Sequence, residues 1–268
     1  MRSLALKSSS VKRSHNGVVQ KAASSLPTSQ LVRQICDEFI ELRRENVNFG
    51  KMRLVGGFAT IGRYPVLILV HGENGRRGTR RNAESARSRA SGYRKADHLM
   101  QLSHKFRKPI VVCFVAPPPS SGTIAAESRE DLCLPKHILS QWNLDVPIIL
   151  VALTTKSSYD IFGVWLADKT IALEQAQFVT TIAGQEKQRR INVRAEELLR
   201  GGVIDKTIPA SSKSTRHSEA VMPYRLRAVL SQMLDEVSYV SPKELMVHRR
   251  AKLARVEAMA VKLSERRK

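Results

Sequence analysis

One stretch, residues 92–122, constrains the fold more than any other part of the chain. It begins with an amphipathic helical pattern that extends to Phe106, and Pro109 prevents the helix from continuing. Ile110 to Val115 is then a short apolar run rich in β-branched residues, which is typical of a strand buried on both faces. The helix residues predicted to be buried recur at three- and four-residue steps: Ala96, Leu99, Met100, Leu102, Ser103 and Phe106.

A loop crowded with proline and serine, Ala116 to Gly122, follows this strand directly. In open α/β folds, ligands bind just beyond the carboxyl ends of parallel strands. This loop is therefore the first place to expect functional chemistry. The alternative is an ordinary connection between a helix and a strand within a core.

The remaining segments also alternate between strand and helix patterns, which indicates an α/β fold. A first helix, capped by Thr28 or Ser29, should bury Leu31, Ile35, Phe39 and Leu42. Strands at 54–61 and 65–70 should form a hairpin through Gly62-Arg63, and His71 should end its second strand. Further strands are predicted at 146–153, 170–173, 177–182 and 203–208.

Three helices are predicted towards the C-terminus. Ile191 to Arg200 reads as an amphipathic helix closed by Gly201-Gly202, and a second helix surrounds residues 228–237. Ser241 to Glu244 is a capping box that starts the last helix, which could pack on the domain or on a partner helix. The predicted organisation is a basic disordered arm or targeting segment at 1–25, one domain at 26–210, and a linker with helices at 211–268.

The formal net charge of +21 over 268 residues implies an acidic partner: nucleic acid, a phosphate-bearing ligand such as coenzyme A, an acidic protein or a membrane surface. Much of this charge lies at the two ends, so solvated tails explain part of it. Aromatic residues are only 5% of the chain, which leaves little material for base stacking. No run of eighteen apolar residues exists that could span a membrane.

Motifs alone do not indicate an enzyme. Cys36, Cys113 and Cys133 are widely spaced, which favours buried, reduced thiols in an intracellular protein. His98 and His104 should be surface or half-buried, and no histidine pair with a third ligand predicts a metal site.

The loop that follows His71 combines glycines with arginines, a composition suited to binding phosphate. Its spacing matches neither the Rossmann fingerprint nor the P-loop, and a basic surface loop is an equal alternative. Its arginines are Arg76, Arg77, Arg80 and Arg81.

The segment Gly92-Tyr93-Arg94-Lys95-Ala96, with Arg80-Arg81-Asn82 before it and Leu99-Met100 after it, resembles a known signature. It is that of the α subunit of the carboxyltransferase of bacterial and plastid acetyl-CoA carboxylase. The similarity covers most of 26–209 and, more faintly, the C-terminal helix. Its other matches are Val55-Gly56-Gly57, Gly62-Arg63, Pro65-Val66, Val70-His71, Pro109-Ile110, Val146-Pro147, Ala167-Asp168-Lys169 and Ile204 to Pro209.

The resemblance implies a crotonase-like spiral of β-β-α units and an α₂β₂ assembly with a beta-type carboxyltransferase subunit. Such an enzyme of fatty acid biosynthesis moves a carboxyl group from carboxybiotin, held on a biotin carboxyl carrier protein, to acetyl-CoA, giving malonyl-CoA. No cofactor is then bound covalently, and carboxybiotin and a coenzyme A thioester are substrates. Arg76, Arg77, Arg80, Arg81, Arg94 and Lys95 would bind the coenzyme A phosphates. We expect a cytoplasmic protein, or an organellar one if the N-terminus is a transit peptide.

Two loops depart from the family's pattern. The family has an acidic residue and a glycine-bearing T-P-G-A-Y-P-G loop after the first buried strand, where this chain has three consecutive prolines at 117–119. After the second strand the family has several glycines, whereas Thr154 to Asp160 contains none. Any oxyanion donors must be the backbone N–H groups of Ser121, Gly122, Ser158 and Tyr159. A non-catalytic paralogue that joins the complex is therefore a second hypothesis, and a nucleic-acid-binding protein ranks third.

Overall fold

The structure is a computed structural model, and it describes residues 28–42, 52–73, 82–115, 143–153, 158–160, 167–182, 189–209 and 218–265. Its helices are α1 (Thr28–Ile35), α2 (Asn82–Lys105), α3 (Ala195–Arg200), α4 (Ser218–Val237) and α5 (Pro242–Glu265). Its strands are β1 (Glu38–Glu41), β2 (Met52–Ile61), β3 (Tyr64–Glu73), β4 (Ile110–Phe114), β5 (Ile148–Ala152), β6 (Ser158–Asp160), β7 (Lys169–Leu173), β8 (Gln177–Ile182), β9 (Arg189–Arg194) and β10 (Lys206–Ile208).

The strands form two sheets. The larger has seven strands in the order β1-β2-β3-β4-β5-β7-β10, and the smaller has three in the order β6-β8-β9. In the large sheet β1, β2 and β3 pair antiparallel, whereas β3, β4, β5, β7 and β10 run parallel. The consecutive strands β2 and β3, followed by α2, make a β-β-α unit of the kind predicted.

The large sheet is buried on both faces because β4 and β5 are apolar at every position and β3 is apolar from Val66 to Val70. Along β3, Val66, Ile68 and Val70 belong to the larger core cluster, while Leu67 and Leu69 belong to the smaller one. Helix α2 covers the smaller cluster with Ala96, Leu99 and Met100, and the larger cluster includes α1 and α4. Cys36 and Cys113 are buried thiols in the larger cluster.

The predicted hairpin is confirmed, and its strands are longer than expected. Gly62 turns the chain with a positive φ of 59°, and β3 continues past His71 to Glu73. Helix α4 holds the tip of this hairpin, because Arg63 and Tyr64 both hydrogen-bond to Asp235. Both hydrogen bonds lower the pKa of Asp235, and the one from Tyr64 has the larger effect.

Three predictions about individual elements are wrong. Helix α1 ends at Ile35, and Phe39 lies on β1 because the chain pairs there with β2. Residues 189–194 form β9, not the start of a helix, and pair with β8. Ile191 and Val193 are buried while Asn192 and Arg194 are exposed, which is the alternation of a strand. Phe106 is 53% exposed, because α2 ends one residue before it.

The start of α5 and the end of α2 both show recognisable capping interactions. The capping box at the start of α5 is confirmed: the Ser241 amide donates to the Glu244 carboxylate at 2.9 Å, and the Glu244 amide to the Ser241 hydroxyl at 3.3 Å. At the end of α2, the Lys108 amide donates to the Ser103 carbonyl at 3.0 Å. This closing turn places Arg107 at a positive φ of 52°, a position that normally takes glycine.

Candidate functional site

The carboxyl ends of β3, β4, β5 and β7 lie at one edge of the large sheet, because these strands are parallel. The register sets His71 beside Phe114 and Phe114 beside Ala152. Ligands of α/β proteins bind at such an edge. We therefore place the candidate site there, where the loops after β4 and β5 begin.

An imidazole lies at this edge. His71 is nearly buried, and its ring stacks on Phe114 with centroids 4.8 Å apart and planes inclined by 23°. The backbones on both sides are tied, since the Val115 amide donates to the His71 carbonyl and the Leu153 amide to the Phe114 carbonyl, each at 2.9 Å. The starting points of the loops after β4 and β5 are thereby fixed relative to β3.

Helix α2 brings the predicted Arg94 and Lys95 to the same region. Lys95 is only 7% exposed, and its amino group donates to the Leu54 carbonyl at 3.3 Å. Leu54 is paired with His71 across β2 and β3. Arg94, the preceding residue, is exposed. The two neighbours therefore differ: the Lys95 amino group bonds to the sheet, and the Arg94 side chain is accessible to a ligand.

Ser158 and Tyr159 lie on β6, an edge strand of the small sheet, opposite Gln177 and Phe178 of β8. Successive amides of a strand point to opposite edges. At most one of these two N–H groups can therefore point at a given oxyanion. The other predicted residues, Arg76, Arg77, Arg80, Arg81, Ser121 and Gly122, lie outside the described residues.

Among the residues that the structure describes, no group of three His, Cys, Asp or Glu side chains is placed to hold a metal ion. Within the same residues, no helix has the length and apolar character needed to cross a membrane. His98 is exposed and His104 half-buried, as predicted.

A family model described as "Acetyl co-enzyme A carboxylase carboxyltransferase-like" matches residues 9–257. The chain belongs to this family. The acetyl-coenzyme A carboxylase carboxyl transferase subunit alpha of Rippkaea orientalis is 26% identical over 232 residues, covering 81% of this chain and 71% of that protein. The protein of the same name from Exiguobacterium sibiricum is 26% identical over 240 residues, covering 84% and 76%.

Solved structures show the carboxyltransferase fold in this chain. The beta subunit of P. aeruginosa geranyl-CoA carboxylase superposes with a TM-score of 0.50 at 16% identity, covering 78% of this chain and 43% of that one. Transcarboxylase 12S, with methylmalonyl-coenzyme A and methylmalonic acid bound, gives 0.50 at 12% identity, covering 82% and 44%. The chain thus spans less than half the length of either protein. The predicted crotonase-like α/β fold is confirmed.

In this carboxyltransferase-like chain, a second polar cluster lies at the opposite edge of the sheet, and sequence reasoning missed it. The Arg249 guanidinium of α5 is fully buried and bonds the Asp168 carboxylate twice, at 2.9 and 2.8 Å. It also donates to the Leu144 carbonyl at 2.6 Å and the Val146 carbonyl at 2.9 Å. Asp168 in turn accepts the Ile148 amide at 2.7 Å.

Lys252, one turn further along α5, extends this cluster. Its amino group donates to the Ala167 carbonyl at 2.9 Å and to the Thr170 hydroxyl at 2.8 Å, with Asp205 at 3.6 Å. Burial lowers the pKa of Lys252 to about 8, although Asp205 opposes the shift.

Asp168 and Asp205 each stand directly before a parallel strand, β7 and β10. Two motifs of the family resemblance, Ala167-Asp168-Lys169 and Ile204 to Pro209, thus join the C-terminal helix to the sheet. The signal that could have found this cluster is helical spacing. Leu245, Arg249, Lys252 and Val256 share one face of α5, so two cations lie on its apolar side.

Proposed function

We propose that this chain is the alpha-type subunit of a biotin-dependent acetyl-CoA carboxylase carboxyltransferase and works together with a beta-type subunit. The observation that carries this proposal is the family match over residues 9–257, which spans both the candidate site and the buried cluster around Arg249. The reaction breaks the bond between nitrogen and the carboxyl group in carboxybiotin and one C–H bond of the methyl group of acetyl-CoA. It forms a carbon–carbon bond between the carboxyl carbon and that methyl carbon, and the methyl proton ends on the ureido nitrogen of biotin. Carboxybiotin arrives on a separate carrier protein, and malonyl-CoA leaves.

The protein's contribution to this reaction is electrostatic. Negative charge develops on the ureido oxygen of biotin as the carboxyl group leaves, and N–H donors aimed at that oxygen stabilise the transition state. One amide from β6, of Ser158 or Tyr159, is a candidate donor. The amides of Ser121 and Gly122, after β4, are the proposed second source.

Binding of the coenzyme A phosphates is assigned to the basic residues near the same edge. Arg94 is exposed and directly precedes Lys95. The Lys95 amino group bonds to the Leu54 carbonyl, and Leu54 is paired with His71, so Arg94 lies near the same edge. A guanidinium binds phosphate through two parallel N–H donors. Arg76, Arg77, Arg80 and Arg81, in the segment between β3 and α2, would complete the phosphate site.

The two altered loops favour a second candidate function, a non-catalytic paralogue that occupies the alpha position. Prolines at 117–119 carry no N–H to donate, and 154–160 contains no glycine to let a backbone approach biotin closely. Such a protein would assemble with the beta-type subunit and would not turn over substrate. The cellular location of this chain stays a prediction from the sequence.

The test is to co-express the chain with a beta-type carboxyltransferase subunit, purify the complex and measure carboxyl exchange between malonyl-CoA and a biotin derivative. Arg94→Ala should raise the KM for malonyl-CoA by about tenfold, because one charge-assisted phosphate contact is lost. Arg33→Ala is the matched control, since Arg33 is an exposed arginine on α1. It should leave the KM unchanged.

The outcomes separate the two candidates. Turnover by the assembled complex supports the enzyme. Assembly without turnover, with activity gained when glycines replace residues 155–158, supports the paralogue. Failure to assemble with any beta-type subunit contradicts both.

A further inference from the structure

Helix α5 has two faces of apolar residues on opposite sides. The inner face is buried in the domain and includes Leu245, Val256 and Leu263. The outer face carries Val247, Ala251, Ala254, Ala258 and Val261, all of them exposed. Spacings of four, three, four and three residues keep these five side chains in one line. At 1.5 Å per residue this line is about 21 Å long.

The two ends of the outer face are its largest side chains. Val247 is 63% exposed and Val261 is 57% exposed. The three alanines between them leave the helix surface narrow, so a second helix can approach closely. Single exposed apolar residues are ordinary, whereas a continuous line over four turns is typical of a helix–helix contact.

One flank of the outer face is basic and the other is mixed. His248, Arg255 and Lys262 are exposed and repeat every seven residues along one side of it. On the other side lie the exposed Arg250 and Glu257. In paired helices these flanking positions decide which partner binds, through the charges that they face.

The inner face holds α5 rigidly in place. Arg249 and Lys252 project from it into the buried cluster and bond to Asp168, Thr170 and three backbone carbonyls. A rotation of α5 about its axis would break these bonds and leave buried charges without them. The outer face is therefore presented in a fixed orientation before any partner arrives, which lowers the entropic cost of binding.

We propose that the outer face of α5 binds an amphipathic helix of a partner protein whose flanking positions are acidic. The apolar line recognises the partner's own three- and four-residue apolar spacing, and His248, Arg255 and Lys262 recognise its carboxylates. This interaction does not depend on the carboxyltransferase reaction.

Charge argues against an antiparallel second copy of this chain as the occupant. Two antiparallel copies of α5 would set His248, Arg255 and Lys262 of one copy against the same three residues of the other. In two parallel copies the repulsion between Arg250 and Arg255 would be offset by the attraction between Glu257 and Lys262, so that arrangement is tested by sedimentation below. Residues 1–27 of the same chain contain no acidic side chain, so they would be repelled as well.

The experiment uses the full-length protein and three labelled synthetic helical peptides of 24 residues. The first has leucines at three- and four-residue spacing with glutamates at the flanking positions. The second carries lysines instead of the glutamates, and the third has the composition of the first with its leucine positions scrambled. Fluorescence anisotropy measures the Kd of each. Only the first peptide should bind, and its Kd should rise with salt.

Two variants test the residues. Arg255→Glu with Lys262→Glu should weaken binding of the glutamate peptide at least about tenfold and create binding of the lysine peptide. Arg33→Glu with Arg225→Glu makes the same charge change on α1 and α4, and it should alter each Kd by less than about twofold. Ala254→Glu should abolish binding of the glutamate peptide, and circular dichroism should show that all variants are folded.

Several results would overturn the proposal. One is equal binding of the glutamate and scrambled peptides, and another is no binding of any peptide up to millimolar concentration. A third is an equal effect of the two double variants. Sedimentation velocity covers the remaining alternative: self-association of the wild type that Ala254→Glu removes would assign the outer face to a homodimer.

Discussion

Replacing Arg249 by methionine tests whether the buried cluster holds the C-terminal helix to the sheet. Methionine retains much of the side chain's length and apolar contact but removes all five N–H donors. The variant leaves the Asp168 carboxylate, whose side chain is 3% exposed, with the Ile148 amide and the nearby Lys252 as favourable neighbours. It also leaves the Leu144 and Val146 carbonyls without the guanidinium.

The structure sets the size of the effect. The two lost hydrogen bonds to the Leu144 and Val146 carbonyls cost about 1 kcal/mol each, and the buried Asp168 carboxylate left without its cation adds a further cost. Breaking a buried ion pair from one side typically costs about 3–5 kcal/mol. We therefore expect Arg249→Met to lower the free energy of unfolding by about that amount.

Urea unfolding, followed by circular dichroism, measures this quantity, and Arg250→Met provides the matched control. Arg250 is the exposed neighbour on the same helix, so its replacement should change the free energy of unfolding by less than about 0.5 kcal/mol. Equal effects of the two substitutions, or a loss below about 1 kcal/mol for Arg249→Met, would refute the view that this pair anchors α5.

Three further predictions concern stability. The pKa of Lys252 falls from 10.5 to about 8 on folding, so between these pH values the unfolded chain binds more protons than the folded one. The free energy of unfolding of the wild type, measured in urea, should therefore rise with pH in this range relative to that of Lys252→Met. A constant difference between the two proteins from pH 7 to 10.5 would contradict this. Arg107→Gly should raise the thermal midpoint and add about 0.5–1 kcal/mol, since φ of 52° suits glycine; a lower midpoint would count against it. Gly57→Ala should lower the free energy of unfolding in urea by about 2 kcal/mol or more, because the new Cβ would lie 2.0 Å from the Ile40 carbonyl oxygen. Gly92→Ala on α2 is the control: its Cβ would have no atom within 4 Å, so the change should be neutral or stabilising. Similar costs at both glycines would be inconsistent with this.

Local patterns were enough to predict many of the elements. The apolar run at 110–115 became β4, the glycine turn at Gly62 became the hairpin, and the capping box at Ser241 began α5. Each of these signals depends on residues adjacent in the chain. The prediction of a helix across 191–194 failed because β8, a strand at 177–182, supplies the pairing that makes β9 extended. Local helical spacing does not include that partner.

The candidate site was predictable only in part. The order of strand and loop indicated the sheet edge after β4 and β5, and the parallel pairing of those strands agrees with it. The burial of Lys95 against Leu54 was not predictable, since Leu54 lies forty-one residues earlier in the chain. The restriction on Ser158 and Tyr159 also needed the structure, because it follows from their position on β6.

Composition, periodicity and the residues around Arg94 determined the α/β class, the family and the edge at which chemistry is expected. Tertiary structure alone decided the role of the C-terminal helix. In the sequence, Arg249 and Lys252 belong to a run of basic residues that suggests a solvated tail. The fold brings Asp168, Asp205 and the backbone carbonyls that precede β5 and β7 to the same place. A cation can be buried there because carboxylates and carbonyls replace its water.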